Sequence, residues 1–239
     1  MKKVTPYDPE GNKREQVEQM FDSIAPRYDL LNRLFSLGID QRWRKRILKE
    51  IRERPVEHLL DLATGTADLA ILAARHARRV TGADVSEGML AQGRAKVAKR
   101  ALQDRVELVR AASESLPFED GTFDAITVAF GVRNYDDLDL GLREMRRVMA
   151  ENGRLFVLEF SHPQRAPMKQ LFRLYFHRVM PGIGNALAKD EAAYSYLPRS
   201  VDAFPEGPEL EDLLVRAGFQ GVSSTRLSGG IATLYRGHA

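Results

Sequence analysis

Apolar positions along the chain follow two rhythms, and the switches between them outline a fold. Short continuous apolar runs alternate with stretches in which apolar residues recur every three or four positions. Continuous runs suit strands covered on both faces, and the periodic stretches suit amphipathic helices. Residues 58–62 form the first run, and Thr64 to Ala67 follows as a turn of small residues. Leu69, Ala70, Leu72 and Ala73 then recur at helical spacing after Asp68. A second run at 79–83 ends in Asp84, helix is expected over 89–102, strand over 106–110 and loop over 111–118. Residues 122–130 read as a fourth strand running into Gly131-Val132-Arg133-Asn134-Tyr135, followed by helix over 138–149 and strand over 154–160. Such alternation predicts an α/β fold: a parallel sheet with right-handed crossovers and helices on both faces.

The flanks differ. Residues 1–14 are polar, with Pro6, Pro9 and Gly11, and are expected to form a mobile tail ahead of a single domain over 15–239. Over 15–54 the spacing predicts helices. Val17, Met20, Phe21 and Ile24 mark one that Pro26 closes. Trp43, Ile47, Leu48 and Ile51 mark another, with Arg42, Arg44, Lys45, Arg46 and Lys49 assigned to its solvated face or to anionic lipid. Residues 163–206 interrupt the alternation. The stretch 168–180 carries Leu171, Phe172, Leu174, Tyr175, Phe176 and Val179, and Tyr194, Tyr196 and Phe204 follow. We read this as an insertion covering the ligand crevice, with ordinary helix packing as the alternative. A helix over 209–217 and two strands, 222–226 and 231–235, pair as an antiparallel hairpin at the sheet edge.

Composition narrows the chemistry. The chain has 239 residues, a formal net charge of +3 and no cysteine, which excludes disulfides, thiolate metal sites and cysteine nucleophiles. Acidic and basic residues are interleaved, so no block of charge calls for nucleic acid. No apolar run approaches the ~20 residues needed to span a bilayer, and the expectation is a cytosolic protein.

The strand ends carry the candidate site. Asp61 closes the first strand, Gly65 lies in the turn, and Asp84 follows about nineteen residues later, the offset at which nucleotide folds place a ribose-binding carboxylate. Ala63 and Ala67 stand where a dinucleotide fingerprint needs glycines, so close approach to a pyrophosphate is not provided. A carboxylate at the strand end suits a cationic cofactor.

Several stretches resemble the ubiquinone and menaquinone biosynthesis C-methyltransferases, from about residue 15 to the end. They are Tyr28-Asp29-Leu30-Leu31-Asn32 with Ser36 and Trp43, Asp61-Leu62-Ala63 with Gly65-Thr66, and Phe130-Gly131-Val132-Arg133-Asn134. Arg147-Val148-Met149 with Gly153, Leu158-Glu159-Phe160-Ser161 and Tyr194-Ser195-Tyr196-Leu197 complete the set. The resemblance implies a class I, Rossmann-like methyltransferase dependent on S-adenosylmethionine, its seven-stranded, mostly parallel sheet ending in an antiparallel strand. It implies methyl transfer to a ring carbon of a prenylated quinol, demethylmenaquinol first and a methoxy-benzoquinol as the alternative, with S-adenosylhomocysteine as product. Asp61, Gly65, Thr66, Asp84, Ala112, Ser113 and Ala129 would meet the cofactor. This chain departs from the family at Asp40, Ala67, Ala112 and Ala129, where His, Gly, an amide and Ser or Gly are usual.

The reaction needs no metal, because the leaving group is a sulfonium. Arg133 and Asn134 would hold the quinol oxygen as its charge develops, against a surface ion pair of Arg133 with Asp136 or Asp137. Tyr28 and Asp29, with Asn32, would close over the methionine end, against helix packing and capping. His162 and His177 are candidate bases. The prenyl tail implies contact with a membrane surface, and exposed aromatics in the insertion leave room for a homodimer. Two other classes remain: a non-catalytic scaffold of the same fold and a small-molecule O- or N-methyltransferase.

Overall fold

The computed structural model describes residues 4–179 and 191–239. Its frame is a seven-stranded sheet in the order β3-β2-β1-β4-β5-β7-β6. The strands are β1 (Val56–Leu62), β2 (Ala77–Asp84), β3 (Val106–Arg110), β4 (Phe123–Ala129), β5 (Met149–Phe160), β6 (Gln220–Leu227) and β7 (Ala232–His238). β1 to β5 pair in parallel, and β7 runs antiparallel between β5 and β6. Alternate residues serve opposite faces. Leu59, Ala125, Phe156 and Leu158 join one core cluster, whereas Leu60, Leu62, Ile126 and Val157 join another. Both faces are therefore dry, which is why these strands read as unbroken apolar runs.

Helices α4 (Asp68–Ala73), α5 (Glu87–Lys99) and α6 (Leu138–Val148) make the crossovers, and α9 (Pro208–Arg216) precedes the final hairpin. Strand order reverses between β1 and β4, so their carboxyl ends open a crevice at the switch point. Backbone is crowded and strained there. A Cβ on Gly131 would lie 2.4 Å from that of Ala63, and Ala63, Ala67 and Phe130 all hold positive φ, at 53°, 62° and 63°. Non-glycine residues rarely adopt that region, and such strain collects at functional sites.

A cap closes over the crevice. It comprises α1 (Lys13–Ile24), α2 (Tyr28–Ser36) and α3 (Ile39–Ile51) from the N-terminal side. From the insertion come α7 (Met168–Leu174), a π-helical turn at Tyr175–Val179, and α8 (Glu191–Ala203). The break expected at 181–184 lies outside the described residues.

Residues 4–14, expected as a mobile tail, differ from that reading. Gln16 accepts from the backbone of Tyr7 and Asp8 and donates to the Asp8 carbonyl, and Arg199 donates to the carbonyls of Thr5 and Pro6. Polar composition concealed this segment because one glutamine side chain supplies its missing backbone partners. Trp43 and Arg44 are buried, while Arg42, Lys45, Arg46 and Lys49 stay in solvent. The basic face of α3 is thus narrower than its pattern predicted.

Candidate active site

Three connected compartments occupy the crevice, and Tyr28 borders all of them. The first, about 680 Å³ counted out to its mouth, lies over the ends of β1, β2 and β4. Gly65, Asp84, Ala111, Ser113, Ala129, Asn134 and Tyr135 line it. Asp84 Oδ2 accepts from the Gly65 N–H at 2.8 Å and Oδ1 from the Ser86 N–H at 3.0 Å, which fixes the turn against the end of β2. Burial raises the Asp84 pKa above its ordinary value, opposed by those two N–H groups. Ser113 faces the same space, flanked by Ala111 and Glu114, whereas Ala112 spends its backbone on a bridge to Ser115 and does not line it.

The second compartment, about 360 Å³ counted out to its mouth, continues past the turn between Asp61, Thr64, Gly65, Thr66, Asp68 and Arg44. Asp61 is buried and accepts from Thr127 Oγ1 at 2.7 Å and Thr64 Oγ1 at 2.6 Å. Burial pushes its pKa up to about 6, against the pull of those hydroxyls and of Arg44. Thr66 donates to Asp29 at 2.7 Å, and Lys96 bridges Asp29 and Asp68 at 2.5 and 2.7 Å. Asp29 therefore acts as a latch between α2 and the turn rather than facing open space.

The third compartment is the largest of the three, about 1420 Å³ counted out to its mouth, and is mostly apolar, with Asp40 and Arg133 as the charged residues on its lining. Phe21, Phe35, Trp43, Phe130, Phe160, Phe172, Phe176 and Tyr196 wall it. Residues of α7, the π-helical turn and α8 supply one side, so the insertion does cover the crevice. Its one cation is Arg133, which donates through Nη1 to Glu159 Oε1 at 2.8 Å and to the Phe130 carbonyl, with the guanidinium 5.5 Å from the Phe160 ring centre. The ion pair expected with Asp136 or Asp137 is replaced by Glu159, since Asp137 caps α6 by accepting from Leu140. Asn134 Oδ1 accepts from Tyr196 at 3.2 Å at the boundary with the first compartment. Asn32 faces the apolar compartment, not the methionine end.

His162 sits outside all three, bonded to Glu206 and Asp202, and these acids raise its pKa, Glu206 most. The His177 side chain lies outside the described residues. Phe172, Phe176 and Tyr196 are buried, so the aromatics that suggested a homodimer surface are spent on the compartment wall.

Among the described residues, three buried side-chain atoms have no hydrogen-bond partner: Arg44 Nε, Arg133 Nε and Tyr135 Oη. One belongs to each compartment. Native interiors leave few such atoms, and each calls for a physical reason. Of these, only Arg133 stood out in the sequence. Glu159 carried a readable signal as an acid inside an apolar strand, whereas helical periodicity placed Arg44 on the solvated face. Lys13 is also buried and donates to the carbonyls of Arg133 at 3.1 Å and Tyr135 at 2.6 Å, pinning α1 to the segment between β4 and α6.

A family model described as the ubiE/COQ5 methyltransferase family matches residues 10–239. A demethylmenaquinone methyltransferase of Bacteroides fragilis is 48% identical over 235 residues, covering 98% of this chain and 96% of that protein. A ubiquinone/menaquinone biosynthesis C-methyltransferase UbiE of Geobacter sulfurreducens is 45% identical, covering 94% of this chain and 89% of its own. The crystal structure of a SAM-dependent methyltransferase from Aquifex aeolicus matches with a TM-score of 0.59 at 19% identity, covering 82% of this chain and 88% of that one.

The raised Asp61 pKa predicts a conflict between stability and binding. An acid whose pKa is higher folded than unfolded costs stability as pH rises from about 4 through about 6. Asp61→Asn is expected to stabilise the free protein at pH 7.5 by ~3 kcal/mol, the gain vanishing near pH 4. With the ammonium of a cationic cofactor placed at Asp61, as the sequence led one to expect, the same variant is expected to bind S-adenosylmethionine more weakly at pH 7.5. Denaturant titrations at both pH values and calorimetric binding check the pair of effects.

Proposed function

The chain belongs to the ubiE/COQ5 methyltransferase family and is a methyltransferase dependent on S-adenosylmethionine, and from that premise we propose that it methylates the ring of demethylmenaquinol to give menaquinol. The observation that carries this reading is the apolar third compartment with Arg133 as its single, half-partnered cation. A prenylated naphthoquinol needs a long apolar berth and, at one point, a donor for its oxygen. The name of the Bacteroides fragilis relative supports the naphthoquinol, and that of the Geobacter sulfurreducens relative favours testing a benzoquinol beside it.

The residues fit the methyl donor. In this reading, Asp84 takes the ribose hydroxyls, while Ser113 and the unpartnered Tyr135 hydroxyl face the base. Thr66, Gly65 and Ala129 shape the passage to the amino-acid end, where Asp61 meets an ammonium. When bound, S-adenosylmethionine supplies a methyl group on a good leaving group, so alignment and exclusion of water carry much of the catalysis. Tyr28 and Phe130, which border both the donor and acceptor sides, set that alignment.

A quinol carbon becomes nucleophilic as the neighbouring hydroxyl loses its proton. A dry cation beside that oxygen lowers the cost of the charge. Arg133 has Nε free to donate to it, and Glu159 holds the guanidinium in place without saturating it. Asn134, fixed by Tyr196, keeps its amide N–H groups for the same region.

The compartment mouth suits a membrane surface. Leu30, Leu34, Leu37, Leu171 and Leu174 are exposed, and Leu37 and Leu171 also line the apolar compartment. Arg33, Lys169 and Arg173 are exposed on the same helices, and Arg178 on the π-helical turn that follows. Leucines flanked by cations would dip into anionic lipid and let a tail slide in without crossing water. No helix of the described residues is long and apolar enough to cross a membrane.

Purified protein with labelled S-adenosylmethionine is expected to methylate reduced demethylmenaquinone in detergent. Product from a demethylated benzoquinol alone would reverse the substrate assignment, and no product from either quinol would remove it. Arg133→Ala is expected to lower kcat ~100-fold or more with little change in donor affinity; equal loss of both would assign Arg133 to packing. Leu37→Glu with Leu171→Glu is expected to abolish sedimentation with anionic vesicles while sparing turnover of a short-tailed quinol. Unchanged sedimentation would exclude this face from lipid contact.

A further inference from the structure

We propose that Arg44 is the binding residue for the carboxylate at the amino-acid end of the S-adenosyl ligand, with Asp40 as the residue that positions it. The inference rests on the assignment of S-adenosylmethionine as methyl donor and extends it to a group that the sequence pattern had sent to solvent.

Arg44 is only 6% exposed. A buried guanidinium is costly unless its N–H groups are spent. Here the spending is partial: Nη1 donates to Asp40 Oδ2, the guanidinium carbon lies 5.9 Å from the Phe130 ring centre, and Nε is buried without a partner. Asp40 is itself held on both oxygens, accepting from Ser36 Oγ at 2.6 Å and from Gln41 Nε2 at 3.0 Å. Its carboxylate is a fixed anchor that aims the guanidinium and leaves part of the fork free.

The second compartment gives the free donors something to do. Asp68, one of its two acids, is already paired with Lys96 at 2.7 Å. What remains on its lining is Asp61, without an ion-pair partner in the described structure, and Arg44. An anion and a cation bordering one small space match a zwitterion: the ammonium of an α-amino acid toward Asp61, its carboxylate toward Arg44. A nucleoside alone has no group for a buried cation, and a phosphate would meet Asp61. An arginine fork also suits a planar carboxylate better than any other common anion save phosphate. Arg44 and Asp61 sense one another already, since Arg44 opposes the burial that raises the Asp61 pKa.

Binding of three ligands to the full chain tests the assignment. S-Adenosylhomocysteine carries both charges, S-adenosyl-3-thiopropylamine lacks only the carboxylate, and 5′-methylthioadenosine lacks the whole amino-acid end. Arg44→Gln is expected to weaken S-adenosylhomocysteine ~10-fold or more in calorimetry, while the other two ligands change less than about twofold. Arg44→Lys is expected to restore part of the preference for the carboxylate. Equal weakening of all three ligands, or no weakening of S-adenosylhomocysteine, overturns the proposal. Failure of the unaltered protein to bind any of them would overturn the donor assignment itself and the proposal with it.

Discussion

A polar atom removed from water must find a partner, and leaving one without costs about 1–3 kcal/mol. Among the described residues this chain carries that cost at three side-chain atoms, and all three border the same crevice. Everything around them is satisfied with care. Asp61 receives two threonine hydroxyls, Asp84 two backbone N–H groups, and Asp40 a serine, a glutamine and an arginine. Such contrast marks donors kept in reserve for a ligand. On the proposed reading it orders the site: a hydroxyl for the nucleoside, one guanidinium for the amino-acid end and another for the acceptor oxygen.

The sheet makes this arrangement affordable. Because both faces of β1 and β4 are dry, their carboxyl ends are rigid enough to hold Ala63 and Phe130 in strained backbone. The cap is fastened both by apolar packing, with Trp43, Ile47, Leu48 and Ile51 of α3 in the main core, and by polar hooks. Lys13 grips the carbonyls of Arg133 and Tyr135, Asp22 accepts from Ser86 and Gly88, and Asp29 joins Lys96 and Thr66. The Lys13 contact also ties cap position to the segment that carries Arg133.

Periodicity and spacing made much of this legible. The parallel strands could be read from their unbroken apolar runs, and Asp61, Gly65 and Asp84 from their offsets, because strand ends at a switch point converge by geometry. Family likeness supplied the remaining strand order and the chemistry. Periodicity failed where a side chain's role depends on distant partners. Arg44 sits among basic residues on a helix, and although Asp40 stands four residues before it, nothing local says that Phe130 will lie against the pair. Lys13 and Thr5 lie in a polar stretch whose partners, Arg133 and Arg199, are more than a hundred residues away. Tyr135 reads as one member of the polar cluster after the fourth strand, with nothing to single it out until its hydroxyl is found buried without a partner.

The most direct test of this account is a crystal structure with S-adenosylhomocysteine bound. The account predicts ribose hydroxyls on Asp84, the base beside Ser113 and Tyr135, and the amino-acid end between Asp61 and Arg44. The sulfur should face Phe130 and the apolar compartment, with Arg133 Nε still free. A ligand whose sulfur points away from that compartment, or whose binding fills Arg133 Nε, would contradict the division of the site into donor and acceptor sides.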